Sequence, residues 1–90
     1  MSEILRLRGE GLEWRLLEGE VVALDSSTDK YLSLNRTGAV LWAALAEGAT
    51  RENLLARLKE EFDVDEEPAA RDLDVFLATL DAQGLLSRDA

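Results

Sequence analysis

The sequence predicts an α+β domain, with one small antiparallel sheet followed by helices. Three observations carry that prediction. Residues 4–34 alternate apolar and polar side chains in short runs separated by turn formers, the period of strands. From residue 37 onward apolar residues recur at three- and four-residue spacing, the period of amphipathic helices. The two regimes do not interleave, so the strands share a sheet and the helices pack on one face of it. The change of regime falls within Tyr31-Leu32-Ser33-Leu34-Asn35-Arg36-Thr37-Gly38-Ala39-Val40-Leu41-Trp42.

Residues 4–8 alternate Leu5 and Leu7 against Arg6 and Arg8, a short first strand, and Gly9-Glu10-Gly11 breaks it. Leu12, Trp14 and Leu16 share one face of the next strand. Glu18-Gly19 is a tight turn into a strand over 20–25, and Ser26-Ser27-Thr28-Asp29 is a polar turn. Residues 30–34 close an antiparallel meander of three or four strands, since loops this short join antiparallel neighbours. Asn35 and Thr37 are both good N-caps for a first helix over about 37–46, with Leu41, Trp42 and Leu45 on one face and Gly48 as its stop. Thr50 caps a second helix that carries Leu54, Leu55, Leu58 and Phe62 on one face. Asp65-Glu66-Glu67-Pro68 opens a third, whose stripe is Leu73, Phe76, Leu77 and Leu80. Gly84 ends it, and Leu85 and Leu86 fold back on the core. The short turn between the last two helices makes them a helix-turn-helix pair, so the coarse fold is winged-helix-like.

Ninety residues without linker, repeat or low-complexity run make residues 1–90 one domain. Net charge is −9, from 19 acids and 10 bases. It is unevenly spread: residues 1–36 hold 7 acids and 5 bases, residues 37–90 hold 12 acids and 5 bases. An acidic helical half opposes nucleic acid and favours a protein, peptide or cationic partner. With no Cys and no His, disulfides, thiol chemistry, an imidazole base and an ordinary zinc site are excluded. No apolar run is long enough for a membrane span and Met1-Ser2-Glu3 does not open a signal peptide, so a cytoplasmic chain is expected.

Several motifs invite chemistry that their contexts do not support. Asp63-Val64-Asp65-Glu66-Glu67 has the acids of a calcium loop, but position 6 is Pro68 rather than Gly and position 12 is Asp74 rather than Glu. A helix start explains those acids better. Nineteen carboxylates on a small surface form close pairs by chance, and none is marked as a general acid or base. No catalysis, cofactor or metal is predicted. Leu24-Asp25-Ser26-Ser27 is partly like a carrier-protein attachment site, yet Ser26 follows a strand instead of opening a helix. The helix-turn-helix pair would place the third helix on DNA. From residue 65 to 84 that helix has six acids and one base, Arg71, which repels a phosphate backbone.

A groove is the more productive reading. Lys30, Tyr31, Leu32, Ser33 and Leu34 form a strand whose exposed edge can be completed by an extended peptide. On a helical wheel Asp72, Val75, Phe76 and Thr79 flank the apolar stripe of the third helix, and could wall a groove beside that edge.

The order of motifs along the chain resembles the PqqD family. The motifs are Tyr31-x-x-Leu34-Asn35-x-Thr37-Gly38-Ala39-x-x-Trp42, Glu47-Gly48-Ala49-Thr50, Asp63-Val64, Asp72-Leu73-x-x-Phe76-Leu77-x-x-Leu80 and Gly84-Leu85-Leu86, within about residues 12–86. The resemblance implies a winged-helix-like fold of three strands and three helices, the RiPP recognition element. Such a domain binds the leader part of a ribosomally made precursor peptide. By the resemblance, the leader adds to the third strand of the meander and lies against the third helix, which maps to Lys30, Tyr31, Leu32, Ser33 and Leu34 and to Asp72, Val75, Phe76 and Thr79. A chain ending just after the fold is expected to be a free-standing module. Relatives of that kind serve a quinone-cofactor pathway beside a radical S-adenosylmethionine enzyme, or lasso peptide pathways beside a leader peptidase and an ATP-dependent cyclase. The lasso type is favoured. The expected function is a non-catalytic adaptor that presents the precursor leader peptide to a leader peptidase or other modifying enzyme. The alternatives are a winged-helix DNA-binding regulator and a structural subunit pairing through its sheet edge.

Overall fold

A computed structural model describes residues 3–8, 12–26 and 29–89. The break at Gly9-Glu10-Gly11, the turn residues Ser27 and Thr28, and Met1 and Ser2 lie outside the described residues. The elements run β1 (Ile4–Leu7), β2 (Leu12–Leu17), β3 (Glu20–Asp25), β4 (Lys30–Leu34), α1 (Arg36–Glu47), β5 (Ala49–Thr50), α2 (Arg51–Phe62), α3 (Glu66–Ala82) and β6 (Leu86–Asp89). The class is α+β, as the sequence predicts.

The strands divide between two three-stranded antiparallel sheets, β2-β3-β4 and β5-β1-β6. The first strand is therefore not part of the meander. Leu5 stands opposite Ala49 on one side and Arg88 on the other. Alternation reveals which face of a strand is apolar but not which strand it pairs with. Its partners are a two-residue strand too short for any period and a terminal strand read as core-seeking leucines. With the strands split in this way, the likeness to a winged helix is loose. Among the described residues no helix is long and apolar enough to cross a membrane.

Helix α1 is the hub. It touches β1, β3, β4 and α2, and α2 in turn packs on α3. Its predicted face, Leu41, Trp42 and Leu45, is buried against Leu54 and Leu58 of α2, Leu73 and Leu80 of α3, and Val21 and Ala23 of β3. Trp14 meets Trp42 edge-on, with ring centroids 6.1 Å apart. The caps follow the sequence. Asn35 Oδ1 accepts from the Gly38 amide at 3.1 Å, and Thr50 Oγ1 accepts from the Asn53 amide at 3.1 Å. Asp65 occupies the N-cap position of α3 without a side-chain capping bond. At the other end of α3, the Leu85 amide donates to the Leu80 carbonyl and Gly84 takes φ +71°, which turns Leu85 into the core.

The β2–β3 turn fixes which backbone groups of the meander sheet are in use. Glu18 and Gly19 both have positive φ, 50° and 82°, the conformation of a two-residue type I′ hairpin. Such a turn makes Leu17 and Glu20 a hydrogen-bonded pair, and pairs of that kind recur at every second position. Residues 20, 22 and 24 thus bond towards β2, and Val21, Ala23 and Asp25 bond towards β4, opposite Leu34, Leu32 and Lys30. The N–H and C=O groups of Tyr31 and Ser33 are left pointing away from the sheet.

Candidate peptide-binding site

Strand β4 pairs with β3 on one side and, among the described residues, with nothing on the other. Its open edge presents the Tyr31 and Ser33 backbone groups in a row. Helix α3 lies beside it in the opposite direction: residues 72–79 share a groove with the Leu34 end, and Gln83 shares a crevice with the Lys30 end.

The groove has a volume of about 470 Å³. Ser33 and Leu34 from β4 and Asp72, Val75, Phe76 and Thr79 from α3 line it together. Leu34 and Phe76 are half-buried, packed on the core, and continue outward from the buried Leu41 and Leu58 at the groove floor. Val75 is 63% exposed, an apolar side chain held on the wall by α3 rather than by burial. The Thr79 hydroxyl donates to the Val75 carbonyl at 2.9 Å, so its donor is used within the helix and its oxygen can still accept. Asp72 is the one charged residue among those lining the groove.

Lys30, Tyr31 and Leu32 do not reach this groove. They border a crevice of about 10 Å³ with Leu12, Ala23, Asp25, Gln83 and Leu85, too small for a side chain. Leu32 packs on the core, and Tyr31 is 73% exposed on the far face of the sheet. These three residues belong to the edge and not to the pocket.

Five lining residues were not singled out as site residues: Asn35, Thr37, Gly38, Leu41 and Leu58. The first three open α1 directly after β4, so the N-terminal turn of that helix closes one end of the groove, and Leu41 follows one turn later at the floor. Gly38 is the signal that was available. A β-carbon there would stand 3.1 Å from Leu34 Cβ, so glycine lets the helix start sit against the strand it follows. Leu58 reads from sequence only as core.

A larger depression, about 610 Å³, lies on the opposite side of α3. It is polar, and its charges are matched within the fold. Arg51 donates to both carboxylate oxygens of Asp74, at 2.9 and 3.0 Å, and Arg88 reaches Glu3 at 2.9 Å and Asp81 at 3.7 Å. The Arg51 fork holds the Asp74 carboxyl below its ordinary value. These pairs tie α2 and β6 to α3, and so fix the helix whose other flank walls the groove.

Three comparisons with known proteins bear on this arrangement. The family described as coenzyme PQQ synthesis protein D (PqqD) matches residues 20–86. No curated protein sequence matches. Two solved structures share the fold. One is TbiB1 in complex with the TbiA(beta) leader peptide, 29% identical, with a TM-score of 0.84 over 91% of this chain and 94% of that one. The other is a lasso peptide synthetase B1 complexed with the leader peptide, 25% identical, with a TM-score of 0.79 over 92% of this chain and 96% of that one. With most of its length matched by the family and nearly all of it by these folds, the chain belongs to the PqqD family.

Proposed function

We propose that the chain is a non-catalytic adaptor in the biosynthesis of a ribosomally synthesised and modified peptide, of the lasso type, acting in the cytoplasm. It binds the precursor's leader peptide as an added strand on β4, against α3, and presents it to a leader peptidase or other modifying enzyme. The observation that carries this reading is the continuity between the open edge of β4 and the groove lined by Leu34, Val75 and Phe76. The two similar solved structures, each of a protein holding a leader peptide, support it. The absence of His and Cys from the sequence agrees with an adaptor.

The magnitudes say which part of the site decides affinity. Bonds to the N–H and C=O of Tyr31 and Ser33 are worth about 0.5–1.5 kcal/mol each. Ordering each leader residue costs about 1–2 kcal/mol in backbone entropy. The edge alone therefore roughly breaks even. A leader side chain buried in the groove adds about 1.5–3 kcal/mol. The edge fixes register and the groove supplies the surplus. Leader residues opposite Leu32 and Leu34 point to the α3 side, and those opposite Tyr31 and Ser33 point to the far face. Asp72 at the groove favours Lys or Arg nearby in the leader.

The test is fluorescence anisotropy of a labelled leader from the precursor gene beside that of this chain, at two salt concentrations, with a labelled DNA duplex in parallel. Saturable leader binding without DNA binding is expected. Salt-sensitive DNA binding without leader binding would refute the adaptor and favour the regulator.

A further inference from the structure

Strand β2 is the other edge of the meander sheet. It pairs with β3 on one side and, among the described residues, with nothing on the other. The phase set by the Glu18-Gly19 turn fixes what that edge offers. Leu17, Arg15 and Glu13 bond towards β3, opposite Glu20, Val22 and Leu24, so the N–H and C=O groups of Leu12, Trp14 and Leu16 point outward. The side chains of the same three residues lie on the inner face, where α1 packs on β3 and β4. Leu16 is left 58% exposed and Trp14 38%. Sheet edges are ordinarily guarded by lysine, proline, a bulge or brevity. This one runs Leu12-Glu13-Trp14-Arg15-Leu16-Leu17, paired one-for-one with β3 and with neither lysine nor proline.

We propose that the β2 edge pairs with the β2 edge of a second copy of this chain, antiparallel about a two-fold axis at Trp14. Register selects this occupant. Outward backbone groups must meet outward backbone groups, so a copy can slide only in steps that keep Leu12, Trp14 and Leu16 opposite one another. With Trp14 opposite the partner's Trp14, Leu12 meets the partner's Leu16 and Leu16 meets the partner's Leu12. Each of these pairs exchanges two backbone hydrogen bonds, and together they cover the exposed Trp14 and Leu16 side chains. In the same register Glu13 stands opposite the partner's Arg15, and Arg15 opposite the partner's Glu13, as cross-strand ion pairs. A slip to either neighbouring register sets Glu13 against the partner's Glu13 or Arg15 against the partner's Arg15, which is repulsive. The strand is thus complementary to itself in backbone, apolar and charge pattern at a single register, as a two-fold interface requires. It is also neutral, with one acid and one base, on a chain of net charge −9. The product is a continuous sheet, β4-β3-β2 followed by the partner's strands in reverse order, with an open β4 edge at each end. Both peptide sites stay free, and the inference does not depend on what fills them.

Sedimentation velocity over about a hundredfold range of protein concentration, at near-physiological ionic strength, tests the pairing. The wild type should pass from monomer to dimer, and amide exchange at Leu12, Trp14 and Leu16 should slow as it does. Arg15→Glu and Glu13→Arg, each alone, set like charges opposite one another twice and should weaken dimerisation at least about tenfold. The two combined restore both ion pairs with their signs exchanged and should return dimerisation to within about threefold of the wild type. Both side chains are exposed in the single chain, so these changes leave its core intact. Leu16→Pro removes an amide that the single chain does not use, at a side chain that is mostly exposed, and should leave a folded monomer. Anisotropy of the labelled leader should stay within about twofold of wild type for every variant, since β4 lies across the sheet. A wild type that stays monomeric across the range overturns the proposal. So does a dimer that survives both single charge variants, or a double variant that does not recover. Protection of Leu12, Trp14 and Leu16 by added leader instead of by concentration gives this edge to the peptide and overturns it too.

Discussion

Proline at two adjacent positions of β4 should have opposite consequences. The type I′ turn at Glu18-Gly19 sets the hydrogen-bond phase of the whole meander sheet. It turns the Ser33 amide to the open edge and the Leu32 amide inward to Ala23. Ser33→Pro removes a donor that the fold does not use, and proline is tolerated on an edge strand. Folding stability should change little. A leader strand would lose one bond of about 0.5–1.5 kcal/mol and meet the ring where it must approach, for a combined loss of about tenfold or more in affinity. Leu32→Pro breaks the bond to Ala23, which costs about 1–3 kcal/mol for the orphaned carbonyl. It also removes a half-buried leucine from the core, which costs up to about 1.5–3 kcal/mol. The sum, about 2.5–6 kcal/mol, is a large share of the stability of a chain of 90 residues, about 5–13 kcal/mol, and at its upper end equals the low end of that range. Urea denaturation and leader anisotropy on both variants test this. A Ser33→Pro variant that binds leader like the wild type, or that unfolds as readily as Leu32→Pro, would refute the reasoning.

Three further predictions concern other parts of the chain. Val75→Glu places a charge on the groove wall one turn from Asp72 and should weaken leader binding at least about tenfold with an unchanged far-ultraviolet spectrum; an unchanged affinity would move the groove elsewhere. Glu18 holds a left-handed conformation that asparagine adopts more readily, so Glu18→Asn should raise stability by about 1 kcal/mol in urea titrations. Asp74 is held below its ordinary value by the Arg51 hydrogen bonds, so its contribution is complete above the ordinary aspartate range and is lost as pH falls through the lowered value. The stability difference between wild type and Asp74→Asn should therefore be small, present at neutral pH and absent in strong acid.

Local periodicity revealed most of the elements and little about how distant ones meet. Leu41, Trp42 and Leu45 announced the buried face of α1, and Asn35 and Thr50 announced their caps, because each signal lies within a few residues. Leu12, Trp14 and Leu16 do share a face with Val21 and Ala23, as their alternation predicts, yet Leu16 is more than half exposed although Val21 opposite it is buried, because β2 is the outer strand of the sheet and α1 packs on β3 and β4. The partners of β1 lie more than forty residues away, beyond any local pattern. Asp25 is buried on the inner face, 3.6 Å from Arg8, where alternation alone would place an apolar residue. For the candidate site, the wheel position of Val75 and Phe76 was legible. The contribution of Asn35, Thr37 and Gly38 followed only from the fold, which sets the β4–α1 junction opposite residues 72–79 of α3.

The central claim is that a leader pairs with the open edge of β4, and amide hydrogen exchange read residue by residue addresses it most directly. In the free protein the Leu32 amide should be protected by Ala23, while those of Tyr31 and Ser33 exchange fast. Saturating leader should protect Tyr31 and Ser33 and leave Leu32 as it was. Saturable leader binding with no added protection at Tyr31 and Ser33 would contradict the account.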